Sequence, residues 1–342
     1  MRHFNKRTAL ITAGGLGLFL MTRAVVRWWR EYDLRDKSVL ITGGSRGLGL
    51  VMARQLLHQG ARVAICARDA TELERARSAL GQRDRQVLTA PCDVTDQGQV
   101  HAMVQAVQHH FGRIDVLINN AGTIQVGPVE LMTLEDYAEA MRVHFWGPLY
   151  TTLAVLPAMR QRREGRIVNI SSIGGKVSMP HLVPYNASKF ALVGLSEGLR
   201  AELAKDGIVV TTVCPGLMRT GSPRQAFFKG QHRAEYAWFS ISDALPLISQ
   251  SAERAARQII AACTRGDAEV VLSLPAKVAT TVHGLFPGAT ADVLGLANTF
   301  LLPASGGIGT AHLPGKHSSS ALSPSWLTAL SDKAAQRNNE DM

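Results

Sequence analysis

Thr42-Gly43-Gly44-Ser45-Arg46-Gly47-Leu48-Gly49 decides how this chain is read. It follows a short apolar run, KSVLIT at Lys37–Thr42, and opens an amphipathic segment, Leu48–Gln59, that Gly60 ends as a left-handed cap. Glycines at 43, 47 and 49 permit a tight turn and the close approach of a pyrophosphate to a helix N-terminus. One such turn is weak evidence, because it also serves a plain strand–helix contact. Here it is the first turn of an alternating series. The pattern predicts further strands at Arg62–Cys66, Arg85–Ala90, Ile114–Asn120, Arg166–Ser171, Val209–Cys214 and Ala268–Leu272. Between them it predicts helices at Ala70–Leu80, Gln97–Phe111, Leu134–Leu156, Tyr185–Lys205 and Ala252–Thr264. Continuous apolar strands separated by amphipathic helices imply a parallel sheet covered on both faces, a doubly wound Rossmann-type α/β domain.

That domain takes residues 36–274 of 342. Residues 1–35 form an N-terminal apolar and basic segment, 275–303 an apolar helical extension broken at Pro287–Gly288, and 304–342 a Gly-, Ser- and Pro-rich tail expected to be flexible. Trp326–Arg337 reads as a marginal helix. The net charge is +10, and residues 1–37 carry Arg2, Lys6, Arg7, Arg23, Arg27, Arg30, Arg35 and Lys37 against Glu31, Asp33 and Asp36. This clustering beside apolar residues points to an anionic membrane surface, not to nucleic acid. Thr8–Thr22 is free of charge but reaches only about 22 Å as a helix, short of the ~30 Å hydrocarbon core. Trp28 and Trp29 suit headgroup depth. An uncleaved anchor, spanning or interfacial, is the favoured reading; a helix docked on the protein and a processed leader are the alternatives. Cys66, Cys92, Cys214 and Cys263 form no C-x-x-C pair, so a reducing compartment is expected and no metal site.

Four further motifs follow the glycine turn in order. They are Asn119-Asn120-Ala121-Gly122, then Ser172, then Tyr185-Asn186-Ala187-Ser188-Lys189, then Pro215-Gly216 with Thr220. With the T-G-x-x-x-G-x-G spacing at Thr42–Gly49, the chain over Asp36–Leu272 resembles the short-chain dehydrogenase/reductase family, in its compact single-domain branch. The resemblance implies a nicotinamide-dependent oxidoreductase that interconverts a carbonyl and a secondary alcohol. It also implies cofactor contacts from Gly43, Ser45, Arg46, Gly47, Leu48, Gly49, Asp93, Val94, Asn120, Gly122, Pro215, Gly216 and Thr220.

Tyr185 and Lys189 are four residues apart and share one helix face. An ammonium near a phenol favours the phenolate and lowers its pKa from about 10. The resemblance makes Tyr185 the general acid/base, gives Lys189 the nicotinamide ribose hydroxyls as well, and assigns Ser172 to the substrate oxygen; Ser171 is the competing serine. One position departs from the family, which carries an asparagine where this chain has His144 in Val143-His144-Phe145-Trp146-Gly147. In the family that asparagine supports a helix distortion linked through water to the lysine. His144 is read either as a tolerated structural substitution or as a titratable relay member.

Cofactor choice follows from charge. NAD-using relatives place an acid near the end of the second strand, where this chain reads Cys66-Ala67-Arg68-Asp69. Arg68, with Arg46 in the turn, suits a 2′-phosphate, so NADP(H) is expected over NAD(H). The apolar ends suit a lipophilic substrate, and the resemblance suggests a homodimer or homotetramer through the helices holding Leu149–Leu156 and Tyr185–Lys205. The expected location is a membrane surface with the catalytic domain in the cytoplasm; a soluble cytoplasmic protein is the alternative. The competing function is a cofactor-binding regulatory or scaffold protein, with His144 as its support.

Overall fold

A computed structural model describes residues 31–81, 85–320, 323, 325 and 328–340. The expected anchor, Thr8–Trp29, lies outside the described residues. Seven parallel strands form the central sheet: β1 (Ser38–Thr42), β2 (Arg62–Ala67), β3 (Val87–Pro91), β4 (Val116–Asn119), β6 (Gly165–Ile170), β7 (Ile208–Cys214) and β11 (Glu269–Val271). Their spatial order is β11-β7-β6-β4-β1-β2-β3. Short strands β5 (Gln125–Val126), β8 (Met218–Arg219), β9 (Phe227–Phe228), β10 (Gln250–Ser251) and β12 (Leu313–Pro314) make two small sheets beside it.

Strand β1 shows why the sheet is buried on both faces. Val39 and Ile41 enter one apolar layer and Leu40 enters the other, as the two-residue period of a strand requires. The first layer packs α1 (Gly47–His58), α2 (Ala70–Ala79) and α8 (Ala252–Arg265) against the sheet. The second packs α3 (Gln97–Phe111), α5 (Gly147–Arg162) and α6 (Val183–Leu203) against its other face. The strand order reverses between β1 and β4, and in open α/β sheets ligands bind beyond the carboxyl ends of the strands at such a switch.

Three elements differ from the sequence reading. The helix expected without interruption over Leu134–Leu156 is α4 (Leu134–Met141), a π-helical turn (Arg142–Trp146) and α5. A further helix, α7 (His232–Ala244), follows β9 in the segment after Thr220. The tail expected to be flexible instead pairs β12 with β9, while the helix expected at Trp326–Arg337 is α11 (Ala329–Arg337), packed on α7. The apolar extension forms α9 (Leu274–Leu285) and α10 (Pro287–Leu301), broken where Pro287–Gly288 indicates. No helix among the described residues is long and apolar enough to cross a membrane.

Candidate active site

The turn between β1 and α1 packs against the end of β4. A Cβ on Gly49 would lie 2.2 Å from the Gly43 carbonyl oxygen and 2.8 Å from Asn120 Nδ2, so no other residue fits there. Asn120 holds the turn, its Nδ2 donating to the carbonyls of Thr42 (3.1 Å) and Gly43 (2.9 Å). Thr42 Oγ1 accepts the N–H groups of Asn120 (3.0 Å) and Ala121 (3.1 Å). Gly47, at φ +54°, directs its N–H out of the turn to a carbonyl oxygen at 2.8 Å. A tight glycine cradle whose helix N–H already meets an oxygen acceptor fits a dinucleotide pyrophosphate. Leu48 is buried behind it.

The other expected contacts surround this turn. Asp93 Oδ1 accepts from the Thr95 N–H (2.9 Å), and Val94 is buried beside Gly147. A Cβ on Gly122 would lie 3.2 Å from His144 Nε2. The Pro215 carbonyl accepts the Ile173 N–H at 2.6 Å, and a Cβ on Gly216 would lie 2.8 Å from Ser273 Oγ. Thr220 is buried, its Oγ1 accepting the Ser222 N–H at 3.1 Å. Arg68 is exposed at the end of β2 and has no ion-pair partner among the described residues. Arg46 is committed: its Nη1 is 2.6 Å from Glu72 and its Nε 3.4 Å from Glu340. Glu72 also accepts from Ser45 Oγ at 2.8 Å. The sequence reading missed Glu72, although a carboxylate in the first turn of the helix after Arg68 was visible.

Ser172, Tyr185 and Lys189 converge just beyond β6. Ser172 Oγ accepts the Gly174 N–H at 3.0 Å and lies near enough to the Tyr185 phenol to favour its charged form, whereas Ser171 Oγ donates to the Lys189 carbonyl at 2.9 Å and is buried. Lys189 Nζ donates to the Ile170 carbonyl at 3.0 Å and lies 5.7 Å from the Tyr185 ring centre. The expected lowering of the Tyr185 pKa is not found in the protein alone. Burial outweighs the nearby Ser172 and pushes the phenol up to about 12, while burial pushes Lys189 down to about 7.

The π-turn turns His144 inward, where it is fully buried. Its Nε2 accepts the Thr123 N–H at 3.1 Å. That bond assigns the proton to Nδ1, which donates to Ser188 Oγ at 2.8 Å, and Ser188 donates to the Tyr185 carbonyl at 2.7 Å. The ring stands edge-on to Tyr185 with centres 5.4 Å apart. Burial, then the nearby Lys189 charge, holds its pKa well below 6.5. A neutral imidazole with both nitrogens engaged is placed to brace the helix.

Residues 37–228 match the short chain dehydrogenase family. The chain is 36% identical over 245 residues to a dehydrogenase/reductase SDR family protein 7-like of Anopheles gambiae, covering 70% of this chain and 76% of that one. It is 33% identical over 283 residues to dehydrogenase/reductase SDR family member 7B of Bos taurus, covering 80% and 85%. A solved short-chain dehydrogenase from Streptomyces avermitilis superposes with a TM-score of 0.64 at 31% identity, covering 77% of this chain and 98% of that one. The chain thus belongs to the short-chain dehydrogenase/reductase family and is an NAD(P)-dependent oxidoreductase.

Proposed function

We propose that the protein is an NADP(H)-preferring reductase or dehydrogenase acting on a lipophilic carbonyl/alcohol pair at a membrane surface. The convergence of Ser172, Tyr185 and Lys189 beside the glycine turn carries this reading. When bound, the dinucleotide supplies or accepts hydride and, oxidised, a positive ring charge. Gly43, Gly47 and Gly49 seat its phosphates, with Asn120 holding the turn in shape. Ser172 Oγ and the Tyr185 phenol orient the substrate oxygen. Tyr185 stays protonated in neutral solution, so it donates the proton when a carbonyl is reduced. In the reverse direction the phenol must lose its proton, and positive charge at Lys189 and the nicotinamide favours that.

Among the two arginines, Arg68 is the better candidate for a 2′-phosphate, because Arg46 already pairs with two carboxylates. Losing one charge-assisted contact is worth about 1.5–3 kcal/mol. Arg68→Asp is therefore expected to weaken NADPH binding by about 10–100-fold or more while NADH binding holds or improves. Dissociation constants for both nucleotides measure this. A wild-type protein without preference for NADPH would refute the assignment.

The substrate reading rests on apolar surroundings. Tyr185, Trp238 and Ile124 pack on a cluster of Val126, Leu182, Ala226, Phe228, Tyr236 and Phe239. The membrane reading rests on α9 and α10, which leave Leu274, Leu285, Phe286, Val293, Leu296 and Phe300 more than half exposed. Full-length protein is expected to co-float with anionic vesicles, and removing residues 1–30 should release most of it. Adding Phe286→Asp and Phe300→Asp should remove the rest, since each phenylalanine buried in lipid contributes about 1.5–3 kcal/mol. Full-length protein that never co-floats would exclude the membrane reading. All four cysteines are free and buried, in keeping with a cytoplasmic catalytic domain. Exposed Trp146, Leu153 and Phe190 on and beside α5 and α6 fit self-association there.

A further inference from the structure

Asn338, Asn339 and Glu340, at the end of α11, lie across the glycine-rich turn. The carbonyl that accepts the Gly47 N–H belongs to Asn338. Asn339 Nδ2 donates to the Ser45 carbonyl at 2.9 Å, and its Oδ1 accepts from Arg75 Nε at 3.2 Å. Glu340 Oε2 faces Arg46 Nε at 3.4 Å, and its Oε1 lies 2.6 Å from the position of a Cβ on Gly47. On the far side, Gln225 Nε2 donates to the Glu340 carbonyl at 3.1 Å, and the Glu340 Cβ lies 3.0 Å from the position of a Cβ on Gly221. Glu340 is 4% exposed. The segment therefore bridges the turn after β1 and the loop after β8, and fills the space between them.

These contacts repeat the chemistry of a bound phosphate. An oxygen acceptor sits on the N–H at a helix N-terminus, and an anion sits beside an arginine. The Gly47 N–H cannot serve the tail and a pyrophosphate together, and no gap remains between Gly47 and Glu340 for one. We propose that residues 338–340 are a built-in competitor for the dinucleotide and must leave the glycine-rich turn before the cofactor's phosphates bind. This rests on the turn being the NAD(P) site.

The seat is built to be left. Among the described residues, Glu340 Oε2 and both amide atoms of Asn338 are buried with no hydrogen-bond partner. Burial also pushes the Glu340 carboxyl up to about 7. These unsatisfied groups offset part of what the Asn339 bonds and the Glu340–Arg46 pair contribute, so the segment is held only weakly. The apparent affinity of the full chain is reduced by the fraction in which the turn is open.

Two measurements on full-length protein test this. The double variant Asn339→Ala, Glu340→Ala is expected to bind NADPH about 10-fold more tightly than wild type, as removal of a tail seated about nine-tenths of the time requires. Hydrogen exchange of wild-type residues 328–340 is expected to speed up when NADPH saturates the protein. A variant that binds no tighter overturns the proposal, as does tail exchange that is unchanged at saturation. Failure of every form to bind NADPH or NADH instead overturns the cofactor assignment beneath it.

Discussion

Tyr185→Phe is expected to lower turnover of a carbonyl substrate by about 10²–10⁴-fold, the usual cost of losing a general acid. The substitution keeps the ring. Its edge-on contact with His144 and its packing on the apolar cluster around Phe228 survive, so the fold and the melting temperature should change little. What is lost is the phenolic hydroxyl, which Ser172 lies near. Nucleotide affinity should also change little, because the glycine turn and Asn120 make no contact through that oxygen. Turnover with NADPH and a panel of apolar ketones, together with nucleotide titration, separates the two effects. A variant that still turns over near the wild-type rate would place the chemistry elsewhere. A wild type that binds nucleotide but reduces nothing would instead favour the regulatory or scaffold reading.

The sheet and the common helix face of Tyr185 and Lys189 were legible because their signals are local. β1 is an apolar run that ends in glycines, and only a buried parallel strand feeding a helix accounts for both. Tyr185 and Lys189 lie one turn apart, so their common face follows from helix geometry alone. What the sequence concealed depends on distant packing. The tail after Ala304 is rich in Gly and Ser, which looks like loss of order, yet Leu313–Pro314 find an edge at Phe227–Phe228. Arg46 looked like a free cation in the turn. Its partners are 26 residues away, at Glu72, and near the end of the chain, at Glu340, and no local pattern links them. The upward shift of the Tyr185 pKa in the nucleotide-free protein depends on distant packing in the same way. Spacing shows that an ammonium is near, but not that both groups are buried deeply enough for desolvation to dominate.

His144→Leu should destabilise the protein by about 1–3 kcal/mol, although histidine at this position departs from the family pattern. Leucine is similar in size but offers no nitrogen. It leaves the Thr123 N–H without its partner, at about 1–3 kcal/mol, whereas the Ser188 hydroxyl keeps its bond to the Tyr185 carbonyl. The loss should also depend on pH, and its sign is fixed by the direction of the shift. The folded protein holds His144 neutral well below 6.5, whereas the unfolded chain protonates it near 6.5. Below that pH the unfolded state binds the extra proton. The contribution of His144 is therefore full above about 6.5 and shrinks by about 1.4 kcal/mol for each further pH unit of acidification. Urea unfolding of both proteins at pH 7.5 and pH 5.5 measures this. The gap between wild type and variant should narrow by about 1–2 kcal/mol at the lower pH. A gap that widens on acidification would mean that His144 is a cation in the folded protein, and would favour the titratable relay reading.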